Sequence, residues 1–139
     1  MNILMFLIPK EKVAYVQDNN TVRQALERME YHRYSAIPIL NEKGEYIGTL
    51  TEGDLLWFIK NNNELNLKAA ENVLVSEVPR NRDNEPVNIS VKIENLIKKA
   101  VDQNFIPVLD DRDLFIGIVA RKDIIKYCYD KMKSCNSDK

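Results

Sequence analysis

Apolar residues in this chain fall into two matching sets of short runs, each bounded by polar turn formers. Residues 36–40 and 105–109 are apolar stretches of strand length, and the proline in each suits a strand start or edge. Turn formers follow, Asn41-Glu42-Lys43-Gly44 in one copy and Asp110-Asp111-Arg112-Asp113 in the other. A second apolar run then completes a predicted hairpin, residues 46–50 and 115–119. Helices are predicted to start near Thr51 and Ala120 and to carry Leu55, Leu56, Trp57, Phe58 and Ile59, or Ile124, Ile125 and Cys128. Upstream, Thr21-Val22-Arg23-Gln24 has the pattern of a capping box, and Val22, Ala25, Leu26 and Met29 share one helical face. Val91, Leu96, Ile97, Ala100 and Val101 are expected to play that part in the second copy. Residues 12–17 and 86–89 read as short extended segments ahead of those helices.

The two sets are an internal repeat. A shift of 69 residues places Ile37, Pro38, Leu40, Ile47, Gly48 and Asp54 on Ile106, Pro107, Leu109, Ile116, Gly117 and Asp123. That makes six identities over the 22 positions 37–58, where unrelated sequence of ordinary composition gives about one. The predicted class is α/β (α+β), two pseudo-symmetric β-α-β-β-α units. The expected boundaries are a first repeat at 8–60, a linker with a short helix at 61–74, a second repeat at 75–130, and a disordered tail at 131–139.

Length and charge fit this organisation. A chain of 139 residues is near the usual size of one domain or two small dependent halves. Twenty Lys+Arg against twenty-one Asp+Glu supply no global positive field, so binding of nucleic acid is not expected. The longest apolar run, residues 3–8, is too short to span a bilayer, and no basic segment precedes it; a cytoplasmic chain is expected, without membrane insertion. Cys128 and Cys135 lie too close to one end to staple a core and read as free thiols, and a single histidine leaves no zinc ligand set.

The candidate chemistry lies where a strand becomes a helix. In Gly48-Thr49-Leu50-Thr51-Glu52-Gly53-Asp54, a carboxylate in the first helical turn has the acceptor positions to take both hydroxyls of a ribose. The Thr51 hydroxyl and the free N–H groups of the helix start suit ribose or phosphate. The same Thr-x-x-Asp spacing also describes a helix cap, with Asp54 at the positive end of the dipole. The second copy reads Gly117-Ile118-Val119-Ala120-Arg121-Lys122-Asp123. It loses the capping hydroxyl and sets two cations where a helix start disfavours them, which fits either a nearby anion or a solvated pair of charges. Lys12, beside the apolar stretch 13–16, is either an edge lysine or a phosphate contact. Tyr34-Ser35-Ala36, ahead of Ile37-Pro38, offers a ring and backbone groups to a purine, or a core tyrosine. His32 reads as a helix-surface residue, and no arrangement of nucleophile and base, P-loop or dinucleotide fingerprint is visible.

The doubled unit, with φ-Pro-φ-φ followed by φ-Gly-φ-φ-x-x-x-Asp in both halves (φ, apolar), resembles a pair of CBS domains, the Bateman module. The resemblance covers about residues 10–129. It implies a regulatory module with no catalytic activity and no required cofactor, which binds adenosine-containing ligands in clefts between its halves. Thr51 and Asp54 would hold ribose in one cleft and Asp123 in the other, where Ala120 stands in place of the expected hydroxyl. Residues 12–17, 34–38 and the pair Arg121-Lys122 further resemble the stand-alone CBS pairs of Gram-positive bacteria that bind cyclic di-AMP. That resemblance implies Lys12, Arg121 and Lys122 on the phosphates and Ala14, Tyr34 and Ala36 lining an adenine slot, with Ser35 and Pro38 in the same nucleotide-binding stretch. It also implies ordering of the Lys12 segment against Arg121-Lys122, a homodimer, and a regulated partner enzyme. The intact Thr51…Asp54 pattern is that of modules holding AMP, ATP or S-adenosylmethionine, which stay open as ligands. A ligand-free dimerisation module is the remaining reading.

Overall fold

The structure is a computed structural model that describes residues 2–62 and 67–137. The chain divides into two compact units, Ala14–Asp83 on the one hand and Met1–Val13 with Asn84–Lys139 on the other. Its strands are β1 (Ile8–Pro9), β2 (Val16–Gln17), β3 (Ala36–Leu40), β4 (Tyr46–Thr51), β5 (Val87–Asn88), β6 (Phe105–Leu109) and β7 (Phe115–Ala120). Its helices are α1 (Val22–His32), α2 (Glu52–Asn62), α3 (Leu67–Ala70), α4 (Ile93–Asp102) and α5 (Arg121–Ser137). The mixed α/β class and the twofold β-α-β-β-α order follow the sequence pattern.

In the unit Ala14–Asp83, β2 runs parallel to β3, and β3 pairs antiparallel with β4. Thr21 caps α1 as its spacing predicts: its side chain accepts the Gln24 N–H while the Gln24 side chain accepts the Thr21 N–H. The helix stops at Arg33, in the left-handed region (φ 58°), whose N–H returns to the Glu30 and Met29 carbonyls. The period-3.6 face buries Val22, Ala25 and Met29 against Val16, Ile37, Ile39 and Leu50, with Leu26 packed at the margin. At the hairpin tip the Asn41 side chain accepts the N–H groups of Lys43 and Glu45, and Gly44 takes φ 84°.

The other unit repeats the plan with one addition. Its sheet runs β1-β7-β6-β5, with β5 parallel to β6, β6 antiparallel to β7, and β1 antiparallel to β7. The N-terminal strand therefore completes the sheet of the second repeat, although it precedes the first in sequence. Pro9 lies opposite Gly117, and a Cβ at residue 117 would overlap the Ile8 carbonyl oxygen. Only glycine admits so close a strand at that φ of 154°. Asp113 takes the left-handed role of Gly44 with φ 63°, a conformation a short polar side chain tolerates. The core is Ile3, Val87, Leu96, Ala100, Ile106, Val108, Val119 and Ile124.

Several sequence expectations change. Of the stretch 12–17, expected to be extended, Lys12 instead ends a tight turn, Lys10–Lys12, and only Val16–Gln17 is a strand. Val101 is exposed, because it sits one residue, about 100° of helical rotation, beyond the buried Ala100. Residues 131–137, expected as a disordered tail, continue α5: the stretch after Ile124 contains no proline or glycine to end the helix. Residues 138–139, and residues 63–66 of the expected linker, lie outside the described residues. Leu55 and Ile124 enter the cores, but Leu56, Trp57 and Ile125 are exposed.

The close approach of β1 to Gly117 is testable. Gly117→Ala should lower stability by about 1–3 kcal/mol through overpacking, read as a lower midpoint in equilibrium urea unfolding. Gly53→Ala, where an added Cβ meets only ordinary contact distance, should not lower the midpoint.

Candidate functional site

The end of the β3–β4 hairpin gathers one group of predicted residues. Ala36 pairs with Thr51 across the hairpin. The Ser35 carbonyl accepts the Glu52 N–H at 3.0 Å, which ties the segment ahead of β3 to the first turn of α2. Tyr34 is half-buried against the core and its ring lies 5.5 Å from that of His32, which is itself exposed. Pro38 is buried, Ser35 is exposed, and Ala14 packs at the edge of the same core.

Asp54 is the centre of this arrangement, only 5% exposed. Its Oδ2 accepts the Thr51 N–H at 3.1 Å, while the Thr51 hydroxyl accepts the Asp54 N–H at 3.1 Å, so the Thr-x-x-Asp spacing forms a true capping box. Its Oδ1 accepts the Asn81 N–H at 3.0 Å. Capping is therefore realised, and it does not exhaust the group. A carboxylate offers about four acceptor positions, so two N–H bonds leave capacity for a pair of hydroxyl donors.

Beside Asp54 runs a segment, residues 80–83, to which the sequence pattern assigned no site role. Arg80 pairs with Asp83, Nε to Oδ1 at 2.7 Å, and the same Oδ1 accepts the Thr49 N–H at 3.0 Å. A Cβ at residue 48 would overlap both the Asp83 carboxylate and the Arg80 guanidinium, so Gly48 leaves the space this pair occupies. Thr49 is fully buried and its hydroxyl bonds Tyr46 Oη at 2.6 Å. The signal available in sequence was the polar run Arg80-Asn81-Arg82-Asp83 together with a glycine repeated at 48 and 117.

The other unit holds Lys12, Arg121, Lys122 and Asp123. Lys12 is exposed at the end of the turn that leads from β1. The Arg121 N–H donates to the Asn104 carbonyl, and its Nε donates to the Gln103 carbonyl at 2.9 Å. That hold fixes the guanidinium and leaves its terminal nitrogens as donors. Gln103 is itself buried, with its amide donating to the Glu85 carbonyl and its oxygen accepting the Glu85 N–H. Lys122 is exposed. Asp123, half-buried, lines a cleft of about 420 Å³ with Lys126, Asp130 and the residues 5–8. The Phe6 and Tyr127 rings meet edge to face in its wall at 5.4 Å. Unlike Asp54, the Asp123 side chain has no hydrogen-bond partner among the described residues. Thus the predicted residues fall into two groups: Ala14, Tyr34, Ser35, Ala36, Pro38, Thr51 and Asp54 in one unit, and Lys12, Arg121, Lys122 and Asp123 in the other.

Among the described residues no cluster of His, Cys, Asp and Glu is arranged to hold a metal ion. No helix among them is long and apolar enough to cross a membrane.

Comparison with known proteins places this geometry. The family model for the CBS domain matches residues 7–61 and 75–130. Cyclic di-AMP receptor B of Bacillus subtilis is 25% identical over 136 residues, covering 94% of this chain and 88% of the receptor. An uncharacterised protein of Methanocaldococcus jannaschii is 25% identical over 142 residues, covering 93% of this chain; the chain spans half the length of that relative. In three dimensions, the crystal structure of CbpB in complex with cyclic di-AMP aligns with a TM-score of 0.85 and 24% identity, over 100% of this chain and 91% of that one. That likeness shows the fold.

The capping role of Asp54 predicts an asymmetry between the repeats. In the ligand-free protein, Asp54→Ala should cost about 2 kcal/mol or more, because it strips acceptors from two backbone donors. Asp123→Ala should change stability by less than about 0.5 kcal/mol. Urea unfolding of both variants measures the difference.

Proposed function

The chain belongs to the CBS-domain family, with two CBS domains, and from that premise we propose that it is a regulatory adenine-nucleotide receptor with no catalytic activity of its own. Its first ligand is cyclic di-AMP, and binding alters how the protein docks on a partner enzyme. The observation that carries this reading is the relation to the Bacillus receptor, which extends over nearly the whole of both chains. The chemistry of the two groups of residues supports it.

Cyclic di-AMP carries two phosphodiesters, and Lys12, Arg121 and Lys122 supply three cations within one compact unit. Each charge-assisted hydrogen bond to phosphate contributes about 1.5–3 kcal/mol. Arg121 suits the task because Gln103 already orients it, so less side-chain freedom is lost on binding. Ala14, Tyr34 and Ala36 supply a small-residue and aromatic lining for adenine, with Ser35 and Pro38 beside them. Asp54 with Thr51, and Asp123 in the other unit, are the acceptors for ribose. Ordering of Lys12 against Arg121 and Lys122 is then an event inside one unit, since all three belong to it. The protein acts as a cytoplasmic homodimer in this reading. A mononucleotide, AMP or ATP, is the second reading. It is favoured by the intact Thr51…Asp54 pair, whose carboxylate keeps two acceptor positions for a single ribose.

A thermal-shift panel of cyclic di-AMP, cyclic di-GMP, AMP, ATP and S-adenosylmethionine tests the proposal. Ligand at a hundred times its dissociation constant adds about 2.7 kcal/mol, a rise of roughly 8–15 °C for a chain of this size. A selective rise with cyclic di-AMP is expected, and Arg121→Ala should reduce that affinity far more than affinity for adenosine. A rise with AMP or ATP alone supports the second reading. No rise with any nucleotide overturns both.

A further inference from the structure

The outer edge of β4 carries two carboxylates side by side. Thr49 and Thr51 are two residues apart on the strand, so their N–H groups leave the same edge about 7 Å from each other. Asp54 Oδ2 accepts from Thr51, and Asp83 Oδ1 accepts from Thr49. The two acids are not held alike. Asp54 is buried, closes the capping box and also takes the Asn81 N–H. Asp83 keeps 38% of its side chain exposed. Arg80 binds it through two nitrogens, Nε to Oδ1 at 2.7 Å and Nη2 to Oδ2 at 3.3 Å. A main-chain N–H and a guanidinium fork thus converge on one oxyanion, and that donor set serves a phosphate as well as a carboxylate.

The repeat shows what is peculiar to this edge. Thr49 corresponds to Ile118, which in the other unit pairs with Ile8 of β1. There the edge is closed by main chain, which leaves only if a strand is lost. On β4 the cover is a side chain on a short tether, three residues from its own arginine. An oxyanion that offers more charge can take its place. Such an internal ligand is a competitor: an incoming anion binds only the fraction of molecules in which Asp83 has let go. The spacing fits one kind of anion. With ribose hydroxyls on Asp54, the 5′-phosphate of the same nucleotide lies one sugar away, a span comparable to the step from the Thr51 N–H to the Thr49 N–H.

We propose that the phosphate of a nucleotide whose ribose sits on Asp54 replaces the Asp83 carboxylate on Arg80 and the Thr49 N–H. Arg80 is then a phosphate-binding residue, and Asp83 the built-in competitor that sets its affinity. The inference rests on the reading of Asp54 as a ribose acceptor. It places a phosphate-binding cation in the unit Ala14–Asp83, separate from Lys12, Arg121 and Lys122 in the other.

Calorimetric titration of the full chain with AMP and with adenosine tests it, since the ratio of the two affinities isolates the phosphate. Asp83→Asn keeps an oxygen for the Thr49 N–H and removes the charge. It should raise the affinity for AMP about tenfold and leave that for adenosine within about twofold. Arg80→Gln should lower the affinity for AMP about tenfold or more through loss of the charged fork. Combining the two decides the mechanism: in an Arg80→Gln chain, Asp83→Asn should gain less than about twofold, because no guanidinium is left to release. An equal gain with and without Arg80 makes Asp83 a bystander charge and overturns the exchange. So does an AMP-to-adenosine ratio that neither substitution moves, or AMP binding absent from both wild type and Asp83→Asn. Melting curves confirm that the variants are folded. The unmutated chain supplies a second measurement: the Arg80 Nε–H resonance should move with AMP and not with adenosine, and one that AMP leaves in place overturns the proposal. Cyclic di-AMP titrated into the same chains separates the two levels of the argument. Its binding with an unmoved AMP ratio defeats the exchange alone, whereas no nucleotide bound by any chain defeats the nucleotide reading as well.

Discussion

Much of the unit Ala14–Asp83 hangs on one buried carboxylate. Asp54 accepts the Thr51 N–H with one oxygen and the Asn81 N–H with the other. The first bond closes the start of α2 at the point where β4 ends. The second draws a distant part of the chain onto the same atom group, across 27 positions of sequence. Each N–H would otherwise be a polar group without a partner in a largely buried place, at a cost of about 1–3 kcal/mol. Once Asn81 is anchored, Arg80 and Asp83 are delivered to Gly48, and the Asp83 carboxylate reaches the Thr49 N–H on β4.

That chain of contacts solves a problem both repeats share. The second strand of each hairpin, β4 or β7, is the outer strand of its sheet unless something covers it, and an open edge invites unwanted pairing. In one unit a side-chain carboxylate from residues 80–83 covers β4. In the other, the main chain of β1 covers β7 directly, with Pro9 opposite Gly117. The glycines at 48 and 117 are the repeat-equivalent positions that allow either covering segment to come near. Their identity across the repeat is therefore a requirement of close approach by the covering segment, side chains at Gly48 and backbone at Gly117.

These relations decide what could be read from sequence. Apolar runs of strand length bounded by turn formers, and a helix face at Val22, Ala25 and Met29, are local signals that the 69-residue repeat doubles, and local structure followed them. The Thr51–Asp54 cap was legible for the same reason, since both ends of the box lie within four residues. Which segment covers which hairpin was not legible, because two-residue β1 carries no periodicity and pairs with a strand more than a hundred residues away. Arg80 and Asp83 were missed likewise: in sequence they are charges ahead of the 86–89 segment, and their partners at Gly48 and Thr49 lie more than thirty positions away. Lys12 was read as extended because its neighbours are apolar and β-branched, yet the preceding proline and the turn Lys10–Lys12 prevail locally. The exposure of Leu56 and Trp57 was half legible, as one stripe of α2 holds more apolar residues than a single core face can bury.

In the proposed reading, Asp54 also sets how a ligand on this unit would be felt. A bound molecule shifts a protein only by its differential affinity for two arrangements. A ribose hydroxyl that donates to Asp54 adds to a carboxylate already shared by the start of α2 and the backbone at Asn81. Donors on one carboxylate compete for its negative charge, so a third and fourth bond weaken the first two and alter the hold on residues 80–83. In the proposed reading, residues 80–83 are then the segment that a bound ribose would reach, because Asn81 shares the Asp54 carboxylate with it. Arg121 in the other unit is differently placed: its Nε donates to the Gln103 carbonyl, which leaves its terminal nitrogens as further donors. In the proposed reading, a phosphate there would take donors that the fold does not use, whereas a ribose at Asp54 would draw on the same two oxygens that hold the Thr51 and Asn81 N–H groups.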